Sequence, residues 1–285
     1  MHPDSRRFCK AVTRAAQSLA SVRSTCWPEY ATLSISARAF AWLLHWTHCQ
    51  SQPPLTSVIP LSPHPLLYLI TNRQALHPAI KLDSREAWDA WHEQLALIGA
   101  AAQAGCQLIQ IREKDLSAQQ LTEFTRAAIT VARPHGARVL VNDRLDVALA
   151  AGADGVHLRV SSLPVIEVKT LVTRFGLKNF LIGASTHSLT EAAAAETDGA
   201  DFLVCGPVYD TLSKQSYGPS LGLDRLAEIC RAVRLPVLAI GGVNLTNFRE
   251  PLQHGASGIA AIGLFTERDT LRDKIEAILT SPTPR

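Results

Sequence analysis

Gln110, Arg112 and Lys114 stand at every second position of QLIQIREKD, residues 107 to 115. In an extended chain this spacing puts all three polar side chains on one face, and two cations among them suit an anionic ligand such as a diphosphate. Arg112 offers a planar fork for bidentate oxyanion contacts, whereas Lys114 is a mobile point charge. Leu108, Ile109 and Ile111 read as a half-buried strand that ends where the cations begin. A second apolar run, in VLVNDR (139 to 144), stops at Asn142 and Asp143. Asp143 is an oxygen ligand of the kind Mg²⁺ prefers, with Asp146 close enough to serve the next helix instead. A third run, DFLVCGP, leads into a loop with Thr211, Ser213 and Lys214. Gly241, Gly242 and Gly263 end two further runs, where an anion could approach backbone N–H groups that no Cβ obstructs. That is a second anion site, suited to a phosphomonoester. His187, just after Ser185 and Thr186, is placed for acid or base work, while His157 sits inside an apolar strand as a satisfied core residue.

These residues need a scaffold that delivers strand ends to one place. From residue 66 onward the sequence alternates apolar strand-like runs with helix-like stretches: LLYLIT, QLIQIR, RVLVN, GVHL, FLIGAS, DFLVCG, PVLAIGG and SGIAAIG, each followed by an amphipathic segment. Ser117 with Gln120, and Ser188 with Glu191, have the spacing of capping boxes. Eight β/α units over about 220 residues predict an α/β fold, a (β/α)8 TIM barrel, with its active site at the C-terminal strand ends and phosphate held after strands seven and eight. The glycines lie on those two strands.

Composition bounds the partners. A net charge of +3 over 285 residues gives no general basic surface for nucleic acid. The longest apolar run, near 39 to 46, falls well short of the ~20 residues that span a bilayer. The six cysteines show no metal spacing and read as free thiols in a reducing, cytoplasmic setting. Residues 1 to 62 stand apart, rich in Arg and Ser, poor in acids and closed by prolines. They read as a poorly ordered extension or as sequence upstream of the true start, Met1 being the sole methionine; a transit segment is the alternative. The domain reading is therefore an extension over 1 to 62 and a barrel over 63 to 285, compatible with a homo-oligomer.

The strings QIREKD, VNDRLDVALAAGADGVHL, IGASTHSLTEA, GPVYDTLSK and LPVLAIGGV, in this order, resemble the thiamine phosphate synthase family, which includes a TenI-type thiazole tautomerase branch. The resemblance spans roughly 66 to 265. It implies small-molecule partners, a hydroxymethylpyrimidine diphosphate and a thiazole phosphate, joined with release of pyrophosphate. By motif, Gln110, Arg112, Lys114, Asn142, Ser185 and Lys214 would bind the diphosphate and Asp143 would hold Mg²⁺. Thr211, Ser213, Gly242, Ile262 and Gly263, beside Gly241, would take the thiazole phosphate. The chain departs from the pattern after GVHL, where Arg159, Val160, Ser161 and Ser162 replace Gly-Gln-x-Asp, so Ser162 occupies the position of a second Mg²⁺ ligand. Asp210 stands where Pro is usual and Gly263 where Ser is common. Asn142, Asp143 and the complete Gln-x-Arg-x-Lys pattern favour the synthase, whereas Ser162 favours the tautomerase, whose proton-transfer group would be His187. A noncatalytic phosphate-binding barrel is the third reading.

Overall fold

In the computed structural model, residues 65 to 76, 85 to 210 and 220 to 281 are described, with the side chains of 75, 76 and 85 to 88 left aside. The expected extension over 1 to 62 lies outside these residues, as do Thr211, Ser213 and Lys214. The strands are β1 (Leu66–Ile70), β2 (Leu108–Ile111), β3 (Arg138–Asn142), β4 (Gly155–Leu158), β5 (Leu181–Thr186), β6 (Phe202–Cys205), β7 (Val237–Ile240) and β8 (Gly258–Ala261). They close in sequence order into one parallel barrel. Closure is made by β8 on β1, with Leu66 opposite Gly258 and Leu69 opposite Ala261.

The helices that follow the strands are α1 (Arg85–Gln103), α2 (Ala118–Ala132), α3 (Leu145–Ala151), α4 (Val165–Arg174), α5 (Leu189–Thr197), α6 (Gly222–Ala232), α7 (Arg249–Gln253) and α8 (Arg268–Leu279). Ser117 forms the full capping box of α2, accepting from the Gln120 N–H while the Gln120 side chain accepts from its own. At α5 the box is only half made. Ser188 accepts from the Glu191 N–H, but the Glu191 carboxylate takes the N–H of His187, one residue earlier than the reciprocal pattern expects. Among the described residues no helix is long and apolar enough to cross a membrane.

The period of two divides each strand between an interior and an exterior. Tyr68, Leu108, Leu140, Leu181, Phe202, Leu238 and Ala260 pack together inside the barrel, with Ile240 and Ile262 above them. Ile109, Ile111, Val139, Val141 and Val156 face outward onto the helices. The sequence predicts a half-buried β2, yet all four of its residues are buried. Both faces of a barrel strand are covered, by helices outside and side chains inside, so the polar face of β2 is its interior one.

Two carboxylates are explained by the opposite end of the barrel. Asp154, just before β4, accepts from the Val139 N–H at 2.8 Å and pairs with Arg133. Asp201, just before β6, accepts from the Ile182 N–H at 2.7 Å. Each follows a Gly-Ala step and caps the start of a strand, a position that serves stability and lies far from the chemistry.

Candidate active site

Past the end of β2 the chain turns and sorts charge by sign. Gln110, buried inside the barrel, donates from Nε2 to Asn142 Oδ1 of β3 at 3.5 Å. The Arg112 N–H donates to Thr71 Oγ1 at 2.9 Å, which pins the backbone there to the end of β1. Glu113 turns the other way and its carboxylate accepts the Arg73 N–H, while Asp115 takes the guanidinium of Arg73. Arg73, 2% exposed, thus draws both carboxylates of REKD to one side. The cations are left together. No sequence pattern announces an arginine that serves as an internal anchor.

Arg112 and Lys114 each feel the positive charge of Arg159, which follows β4. Burial lowers the Arg112 pKa from its ordinary value and repulsion from Arg159 lowers it further. The Lys114 ammonium is lowered chiefly by Arg112, then by partial burial and by Arg159. Mutually repelling cations at a strand end are a site that an anion would relieve.

Asp143 follows β3 with φ 65, the one left-handed non-glycine among the described residues, and its N–H donates to the His157 carbonyl at 2.8 Å. An aspartate tolerates this conformation, and the strain sits where the strand end must turn. One carboxylate oxygen accepts from Ser162 Oγ and the other from Arg159 Nη2. Burial pushes the carboxyl pKa up, but the hydroxyl and the guanidinium outweigh it and hold it below the ordinary value. Asp143 is not a helix cap: the residue capping α3 is Arg144, which makes no side-chain cap bond and pairs instead with Asp146. These residues do not fit a magnesium ion. Both carboxylate oxygens are engaged by donors, one of them a cation, and Ser162 brings a neutral hydroxyl. Among the described residues no group of three or more His, Cys, Asp or Glu could hold a metal.

His157 lies inside the barrel against Tyr68 and Phe202. Its Nε2 meets Ser185 Oγ at 2.9 Å, but Nδ1 has no hydrogen-bond partner, so the expected satisfied histidine is satisfied on one side only. Burial, then repulsion from Arg112, pushes its pKa down to about 3. In the unfolded chain the imidazole binds a proton near pH 6.5, so between that value and about 3 the unfolded state holds the extra proton. Stability from this group is therefore complete above pH 6.5 and lost as pH falls, by up to ~1.4 kcal/mol per pH unit. The melting temperature is expected to fall from pH 7 to pH 5, and less steeply in His157→Gln. Equal slopes in the two proteins would refute the assignment.

His187 is exposed, and its Nδ1 donates to the Gly206 carbonyl at the start of GPVYDTLSK. That bond leaves Nε2 as the lone-pair nitrogen of the neutral ring and ties the end of β5 to the loop after β6.

Gly241 and Gly242, with φ 94 and 71, form the turn after β7. A Cβ on Gly242 would stand 2.6 Å from Tyr209 Cβ, so part of the reason for glycine here is close approach of the β6 loop. The Gly242 carbonyl is held by Asn247 Nδ2 at 3.0 Å. α7 begins only at Arg249, so its N-terminus does not directly follow these glycines. After β8, Gly263 is exposed and opens a single 3-10 turn, Gly263–Phe265, with no atom near its missing Cβ. Ile262 borders the interior cluster beneath.

The chain matches the family described as thiamine monophosphate synthase over residues 82 to 265. It is 42% identical over 193 residues to a thiamine-phosphate synthase of Methanoculleus marisnigri, covering 65% of this chain and 89% of that one. A thiamine-phosphate synthase of Chloroflexus aurantiacus is 39% identical over 174 residues, 61% of this chain and 78% of the relative. Among solved structures, a thiamine phosphate pyrophosphorylase from Pyrococcus furiosus superposes with a TM-score of 0.60 at 33% identity, covering 75% of this chain and 96% of that one.

Proposed function

The chain belongs to the thiamine monophosphate synthase family, and from that membership we propose that it is a transferase joining hydroxymethylpyrimidine diphosphate to a thiazole phosphate, with release of pyrophosphate. The observation that carries the reading is the convergence of Arg112 and Lys114 at the end of β2, beside the interior polar groups Gln110, Asn142 and Ser185. In the proposed reaction the bond between the pyrimidine methylene and the diphosphate oxygen breaks first. Its electron pair leaves with pyrophosphate, and the thiazole nitrogen donates its lone pair to the resulting methylene cation. The chain must neutralise the departing charge and hold the acceptor in line. Arg112, Lys114 and Lys214 are assigned the first task. Thr211, Ser213, Ile262, Gly263 and the Gly241–Gly242 turn are assigned the second.

No proton transfer is required, so His187 is assigned the positioning of the β6 loop through Gly206. This does not favour the tautomerase reading, and the relatives above carry synthase names. Buried, unbridged Cys106 and Cys205 suit residence in the cytoplasm.

Mixing the protein with both phosphorylated substrates should give thiamine phosphate and pyrophosphate in equal amounts; no product in the presence of Mg²⁺ would overturn the reading. Gly242→Ala is expected to raise KM for the thiazole phosphate by about tenfold or more, since a left-handed alanine costs ~1–3 kcal/mol and pushes on Tyr209. An unchanged KM would place the phosphate elsewhere.

A further inference from the structure

We infer that Arg159 is a diphosphate-binding residue which supplies, from the chain itself, the positive charge that a divalent ion would bring, so that this protein holds the diphosphate without magnesium. The inference rests on the proposed diphosphate site and deepens it.

The turn after β4 is built to fix this side chain. The Arg159 N–H donates to Ser162 Oγ at 2.8 Å, and the Ser162 N–H returns to the Arg159 carbonyl at 2.9 Å. Ser162 Oγ, having accepted from Arg159, donates its own proton to Asp143. Asp143 in turn holds Arg159 Nη2 with its second oxygen. Three residues thus form a closed ring of hydrogen bonds, and each has a partner that removing one of the others would leave exposed.

The arrangement holds the guanidinium at the C-terminal ends of β3 and β4. Asp143, which holds it, directly follows Asn142, whose Oδ1 accepts from Gln110 of β2, so Arg159 borders the end of β2 from the side of β4, and its charge is felt at Arg112 and Lys114. Its side chain is 44% exposed and accessible to a ligand. A guanidinium carries five N–H donors in a fork that matches phosphate oxygens, and Asp143 takes the Nη2 corner.

Charge counting gives the same answer. A divalent cation between two carboxylates adds no net charge to a site. Arg159 against the single carboxylate of Asp143 also adds none, so exchanging a carboxylate for Ser162 and supplying one arginine keeps the balance without a metal. A magnesium ion would have to displace Arg159 from one oxygen of Asp143 or the Ser162 hydroxyl from the other, and find near-octahedral oxygen ligands at about 2.1 Å beside two more cations.

The test is calorimetric titration of the full-length protein with inorganic pyrophosphate, in EDTA and in Mg²⁺. The wild type is expected to bind in EDTA with a Kd within about threefold of its value in Mg²⁺, and Arg159→Ala to weaken binding in EDTA by about tenfold or more. Arg159→Lys, which keeps the charge and loses the fork, should fall between them. Wild-type binding that vanishes on chelation overturns the inference, as does an Arg159→Ala protein that binds as tightly as wild type. If pyrophosphate binds without metal but no thiamine phosphate forms in either buffer, the proposed function fails and the metal-free anion site stands.

Discussion

Arg112→Ala is expected to lower kcat for thiamine phosphate formation by about 10²- to 10³-fold, the cost typical of removing one preorganised charge-stabilising donor. The effect should fall on kcat, because the leaving diphosphate gains its full charge only as the carbon–oxygen bond breaks. The same substitution should leave the melting temperature unchanged or slightly raised. Folding half-buries this guanidinium and brings it toward Arg159, both of which disfavour its charged form. Loss of rate without loss of stability separates a functional arginine from a structural one. Arg112→Lys, which keeps the charge but not the fork, should retain intermediate activity. Pyrophosphate release and thermal unfolding measure the two effects, and a fully active Arg112→Ala protein would remove that residue from the proposed machinery.

Gly183→Ala should act on the fold first. Gly183 lies opposite His157 on β4 and opposite Phe202 on β6, so the barrel has a large ring on both sides of it in one layer. An added Cβ would stand 2.4 Å from Phe202 Cζ and 2.8 Å from His157 Nδ1. Phe202 is wholly buried and His157 is tied to Ser185, so neither ring can withdraw into free space. Overpacking of this kind costs ~1–3 kcal/mol. At about 2–4 °C per kcal/mol for a domain of this size, thermal unfolding should drop by several degrees. Displacing His157 also moves the hydroxyl of Ser185, so the stable fraction should show reduced activity. A variant that melts with the wild type would mean the interior layer has slack that the packing does not show.

Much of the scaffold was legible because local chemistry and tertiary demand agreed. RVLVN and GVHL became strands over the residues read from sequence, and Ser117 formed the expected reciprocal cap. What sequence could not resolve was direction. Period two places Gln110, Arg112 and Lys114 on one face, but only closure of the barrel makes the face of Gln110 the interior, and Lys114 stands in an exposed turn beyond the strand. Glu113 and Asp115 are drawn to Arg73 by contacts across about forty residues that no local pattern encodes. The direction of Arg159 is equally illegible in the sequence. A four-residue turn can point its first side chain inward or outward, and the choice depends on Asp143 being free to receive it. α7 is short, five residues, because the Asn244–Asn247 hydrogen bonds hold the chain before it in a loop. The glycines of β7 were read as a phosphate cradle, and their φ values and the nearness of Tyr209 add a packing demand that sequence alone does not separate from a binding one.

The mouth of the barrel is held here to carry two anion pockets at once, a cationic one under Arg112, Lys114 and Arg159 and a backbone-lined one at Gly242 and Gly263. The most direct measurement is a titration of thiazole phosphate into protein already saturated with inorganic pyrophosphate. Two pockets require that one thiazole phosphate still bind per chain, with an affinity close to that for the free protein. If pyrophosphate instead blocks its binding in a competitive manner, both ligands occupy one site and no geometry for joining two substrates exists at this mouth.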